Sequence, residues 1–99
     1  MPTAIPVRPK KWKNVIDLYD DEAYSAIWGN YDGGKNRCLG VRWNGEKEHC
    51  GYPSQGGNPL WYVEPDFLTK DILSSLLYKV IHSNNLPHQR NILIALAEI

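Results

Sequence analysis

The order of residue patterns along this 99-residue chain predicts an α+β fold. Strand-like alternation comes first, helical periodicity comes last, and the two do not interleave as they would in a βαβ protein. Two alternating segments flank Asp32-Gly33-Gly34, a strong hairpin signal. Apolar residues three and four apart between Leu68 and Ile81 mark a helix. We therefore expect one domain over residues 1–99: a small antiparallel sheet of three or four strands, with two C-terminal helices packed on one face.

Each element has its own warrant. Residues 1–11 carry Pro2, Pro6 and Pro9, with Ile5 and Val7 between them, and read as an extended arm. Lys13 to Leu18 suits a short strand or a helical turn. From Ala23 to Tyr31, Tyr24, Ala26 and Trp28 share one face while Ala23, Ser25 and Ile27 share the other. After the turn, Arg37 to Asn44 is the return strand, with Leu39, Val41 and Trp43 on one face and Cys38, Gly40 and Arg42 on the other. Asn44-Gly45 opens a polar, Gly-rich connection. Leu60 to Val63 has apolar residues on both faces, as a central strand would. Glu64-Pro65-Asp66 ends that strand, and Asp66 is a reasonable N-cap for the first helix. That helix runs through Leu68, Ile72, Leu73, Leu76, Leu77, Val80 and Ile81. Ser83-Asn84-Asn85 stops it, and Pro87 opens a second helix towards Ile99.

Eleven basic and eleven acidic residues cancel to a net charge of zero. That balance argues against a broad nucleic-acid surface, which needs lysine and arginine concentrated on one face. Charge is uneven only near the start. Arg8, Lys10, Lys11 and Lys13 surround Trp12, and Asp17, Asp20, Asp21 and Glu22 follow; a solvated arm and an exposed turn are the expected reading, and a short phosphate-contacting arm at Arg8–Lys13, as in a nucleic-acid accessory protein, is the alternative. No run approaches the ~18 apolar residues of a membrane span. The first residues lack the order of a secretory signal. A cytoplasmic protein is expected, with Cys38 and Cys50 as free thiols.

Several apparent motifs dissolve on inspection. Gly29 to Asn36 matches the GxxxxGK spacing of a phosphate-binding loop. However, Asn36 stands where Ser or Thr should hold magnesium, and the segment joins two strands rather than opening a helix. Cys38, His49 and Cys50 lack the paired spacing of a zinc site. No metal and no cofactor is expected. Cys50 beside His49 has the elements of a reactive thiol, but neighbours in extended chain point to opposite faces. Asp71, Ser75, Tyr78 and His82 form one row on the first helix, opposite its apolar stripe. Ser75 and His82 stand about 10 Å apart along the axis, too far for a nucleophile and its base. The row reads as a solvated face.

The segment from Gly40 to Phe67 remains. Trp43, Tyr52, Trp61 and Tyr62, with Gln55 and Asn58, have the makeup of a small-ligand or sugar site: apolar ring faces beside a few polar groups. The same rings also suit the core of a small domain that contains only one phenylalanine. Both readings stay open at this point, for different rings.

The run GVRWNG…GYPSQGGNPLWYVEPDFL resembles small bacterial proteins carried on mobile integron gene cassettes. Such proteins share no single fold, so the resemblance transfers no catalytic residue. It implies a bacterial, cytoplasmic accessory protein and favours an oligomer. The C-terminal helix points the same way. From Ile92 to Ile99 every residue but Glu98 is apolar, so apolar side chains surround the axis. A homodimer through Ile92, Leu93, Leu96 and Ile99 is expected. The sequence thus favours a non-catalytic binding module acting as a homodimer. The alternative is a small hydrolase or transferase using His49 or Cys50 beside the aromatic segment.

Overall fold

The structure, a computed structural model, describes residues 11–46, 49–55 and 58–99. The expected arm at residues 1–11 lies almost wholly outside the described residues. Three long strands come first: β1 (Trp12–Asp20), β2 (Tyr24–Tyr31) and β3 (Cys38–Trp43). Three two-residue strands follow, β4 (Ser54–Gln55), β5 (Asn58–Pro59) and β6 (Tyr62–Val63). Helices α1 (Asp66–His82) and α2 (Leu86–Glu98) complete the chain. The main sheet is antiparallel, in the order β1-β2-β3-β6, and β4 pairs with β5 in a separate small ribbon. This is the expected α+β architecture.

The β2–β3 hairpin forms as the alternation predicts. Asp32 and Gly33 take left-handed φ values of 51° and 78° in the turn, and Tyr24 pairs with Trp43 at the far end. The phosphate-loop look-alike is therefore this hairpin's turn. Residues 13–18, ambiguous in sequence, belong to strand β1, which is irregular. Its register shifts between Lys13 and Ile16, where Asn14 has φ 55°, and again between Asp17 and Tyr19. A bulge sends a strand's later side chains to the opposite face. Trp12 and Leu18 thus serve different sides of the sheet although six positions separate them.

On the helix side, Leu18, Ala26, Trp28, Leu39 and Val41 pack against Leu73, Leu76 and Val80 of α1 and against Ile92 and Ala95 of α2. Full burial of a leucine or valine side chain stabilises by ~1.5–3 kcal/mol, so this layer holds the helices to the sheet. On the other side, Trp12, Ile27 and Trp61 form a second, smaller cluster flanked by Val15, Tyr31, Cys38 and Val63. Gly40 makes room for it. A Cβ there would stand 2.7 Å from Cη2 of Trp12.

The third sheet strand and the cap of α1 differ from the sequence expectation, while the start of α2 agrees with it. The strand near Leu60–Val63 shortens to Tyr62–Val63 and lies at the sheet edge, not at its centre. Its apolar character comes from Trp61, just before it, which is buried in the second cluster. The N-cap of α1 is Pro65, with no side-chain capping bond, and Asp66 is already helical. α2 is capped by Asn85, whose side chain accepts from the His88 amide at 3.0 Å, with a proline in its first turn.

The chain ends on a clamp. Glu98 accepts the indole N–H of buried Trp28 at 2.7 Å and meets Arg37 through two guanidinium donors, Nε at 3.0 Å and Nη2 at 2.5 Å. Both sets of hydrogen bonds hold the Glu98 carboxyl below its ordinary range. No helix among the described residues is long and apolar enough to cross a membrane.

Candidate functional site

Two buried side chains build the end of the sheet where the site lies. Asn44 follows β3 and donates from Nδ2 to the Glu22 carbonyl at 2.8 Å, while its Oδ1 accepts from the Ser25 hydroxyl at 2.9 Å. This fastens the β1–β2 turn to the end of β3. Arg42, the register partner of Ser25, gathers the connection after β3, donating to the carbonyls of Cys50, Pro53 and Leu60.

Within the turn, Asp20 Oδ1 accepts from the Glu22 amide at 2.8 Å. Asp21 Oδ1 accepts from the amides of Ala23 and Tyr24, at 2.9 and 2.7 Å, and its Oδ2 accepts from the Tyr19 hydroxyl at 2.8 Å. Burial would raise the Asp21 carboxyl, but these three donors and the Lys79 charge outweigh it and hold the group low. Asp21 is therefore ionised at neutral pH. The Tyr19 phenol is pushed up to about 12 by burial and by its bond to Asp21. It stays protonated as a donor. Burial, aided by Glu64, also raises Tyr24.

The turn faces α1 across two adjoining depressions. One, of about 360 Å³, is lined by Tyr19, Asp21, Tyr24, Trp43, Leu76 and Lys79. The other, of about 490 Å³, shares Tyr19, Asp21 and Lys79 and continues past Tyr78, His82 and His88 towards the α1–α2 corner. Trp43 stands edge-on to Tyr24, with ring centroids 4.7 Å apart, and keeps 57% of its surface exposed. The Tyr78 ring lies 4.3 Å from the His82 ring, and His82 Nδ1 is bonded to the Tyr78 carbonyl.

The six residues singled out in the sequence separate. Trp43 and Tyr52 come together through reciprocal backbone bonds of 2.8 and 3.0 Å, and both rings are largely exposed. Tyr62 is half exposed and pairs with Val41, two residues from Trp43 on the same face. Gln55 is exposed on the small β4–β5 ribbon, and Asn58 is its register partner there. Trp61 is 6% exposed and belongs to the second core. Its ring is not part of an open surface. Tyr19, Asp21, Tyr24, Leu76 and Lys79 were not anticipated as a group. One signal for part of it was legible: the turn at Asp32-Gly33 folds Tyr24 onto Trp43.

The thiol alternative has a different setting. His49 is exposed and bridges Glu46 through the backbone, while Cys50 is half-buried. The row on α1 is exposed throughout, and two of its members, Tyr78 and His82, line the larger depression. Among the described residues, no three His, Cys, Asp or Glu side chains group to hold a metal ion. No protein family matches the chain, and neither a curated protein nor a solved structure matches it.

Proposed function

We propose that this chain is a non-catalytic binding module of cassette-type accessory character. Its ligand is a small ring-bearing molecule with a polar group, seated between the β1–β2 turn and α1. The observation that carries this reading is the Trp43 ring, exposed yet held edge-on by Tyr24 at the wall of a depression with one fixed carboxylate. An aromatic face supplies most of the contact area in such sites, and one or two placed polar groups orient the ligand. Asp21 and Lys79 are those groups here. Tyr52 and Tyr62 extend the aromatic surface beyond the depression.

Thermal-shift screening of carbohydrates and small heteroaromatic compounds tests the reading, because a ligand selective for the native state raises the apparent midpoint. A hit should quench tryptophan emission and lose its shift in Trp43→Ala, whose own stability changes little because the ring is mostly exposed. A hit that binds Trp43→Ala unchanged refutes this site.

We also propose that the module works as a homodimer through the outer face of α2. Ile92 is fully buried and Leu96 half-buried in the chain's own core, so these two are not available to a partner. Leu93 and Ile99 are more than half exposed, and Leu93 lines a shallow apolar depression with Leu86, Ile94 and Ala97. That surface supports the reading.

A further inference from the structure

We propose that Cys50 is a peroxide-modifiable thiol whose oxygenated form is held by the buried guanidinium of Arg42. Arg42 is 1% exposed. Its Nη1 donates to the Leu60 carbonyl at 2.7 Å and, more weakly, to that of Pro53 at 3.4 Å; its Nη2 donates to the Cys50 carbonyl. Carbonyls satisfy donors but do not neutralise a cation, and among the described residues no carboxylate forms an ion pair with Arg42. One donor, Nε–H, has no partner among the described residues. A buried donor left without a partner is destabilising, so the position calls for an acceptor.

The chemistry of guanidinium says where that acceptor belongs. Nε–H and Nη2–H project in parallel from one edge of the planar group, a fork that suits paired oxygen acceptors. Arg37 uses this edge on Glu98, with both prongs engaged. In Arg42 the same edge meets Cys50, with one prong on its carbonyl and the other empty. Burial weakens Arg42's hold on its proton, and negative charge at Cys50 acts in the opposite sense. An oxygen attached to the Cys50 sulfur would provide both the missing acceptor and the missing charge.

The reaction needs only a hydroperoxide as co-reactant. The Cys50 thiol gives its proton to solvent, and the sulfur attacks one peroxide oxygen. An S–O bond forms and the O–O bond breaks. Sulfur loses two electrons, and the second oxygen leaves as hydroxide, which takes up the proton as water. The sulfenic acid so formed gives its hydroxyl proton to solvent, and the sulfenate oxygen then accepts Nε–H of Arg42. Cys38 is the built-in reference. It is half-buried like Cys50, but burial and Asp66 push its thiol up, and the guanidinium edge of its neighbour Arg37 is occupied by Glu98.

The test is trapping of sulfenic acid by dimedone in the reduced full chain treated with hydrogen peroxide, resolved by peptide mass spectrometry. In the folded protein we expect trapping at Cys50 on the order of tenfold faster than at Cys38, with the ratio falling to about one in urea. Arg42→Met, confirmed folded by circular dichroism, should bring Cys50 down to the Cys38 rate. Equal trapping at the two cysteines, or a ratio unchanged in folded Arg42→Met, overturns the proposal. Should that variant not fold, the wild type decides. Shielding alone can only slow a half-buried thiol, so Cys50 must react faster folded than unfolded, and slower trapping in the folded state refutes the role of Arg42.

Discussion

Replacing Glu98 with alanine should cost far more than a charged residue one position from the C-terminal end normally would. Two losses add. Trp28 is 2% exposed, and its indole N–H has Glu98 Oε1 as acceptor at 2.7 Å. Removing that acceptor strands a buried donor, at ~1–3 kcal/mol. The ion pair with Arg37 also goes, but those side chains are 23% and 36% exposed, so solvent screening limits it to ~0.2–1 kcal/mol. Together the loss is about 1–4 kcal/mol, which for a domain this size lowers the thermal midpoint by roughly 5–30 °C. Urea titration by circular dichroism measures it. The pH dependence makes the test sharper. Glu98 is held below its ordinary value of 4.5 by its bonds to Arg37 and Trp28, so its folded state binds the proton less readily than its unfolded state. The contribution is therefore complete above about pH 4.5 and fades as pH falls through the lower, folded value. Wild type and Glu98→Ala should converge towards acid. A loss under about 0.5 kcal/mol at pH 7, or a gap that widens on acidification, would refute the clamp.

Two further outcomes follow from packing. Gly40→Ala places a methyl 2.7 Å from the Trp12 ring and 3.2 Å from Ile27, both in the second core. The rigid indole has little freedom to yield, and a loss of ~1–3 kcal/mol in urea unfolding is expected; a neutral result would mean that Trp12 does not cover Gly40. For the proposed dimer, sedimentation equilibrium at micromolar concentration should give twice the 11.3 kDa chain mass, and Leu93→Glu should return it to one chain without loss of helix signal. A single-chain mass in the unsubstituted protein removes the α2 interface.

Local chemistry made much of the fold legible before any coordinates. The hairpin follows from Asp32-Gly33 between two alternating runs, because side chains alternate with period two and the turn sets the register. α1 and α2 follow from apolar spacing and from the stop at Ser83-Asn84-Asn85. Four things needed the tertiary structure. The bulges in β1 move Trp12 and Leu18 to opposite faces, an outcome no period-two count contains. Trp43 and Trp61 look alike in sequence, yet one ring is exposed and the other is core. What separates them is which segment crosses the sheet, not the residue type. α2 looked apolar all round, but only packing could choose Ile92 and Ala95 for the interior and leave Leu93 and Ile99 outside. The depression beside Trp43 draws Tyr19 from β1, Asp21 from the turn after it, Tyr24 from β2, and Leu76 and Lys79 from α1. Local propensity acts over a few residues, whereas a site of this kind is set by contacts between elements more than fifty residues apart, and only the folded chain brings those together.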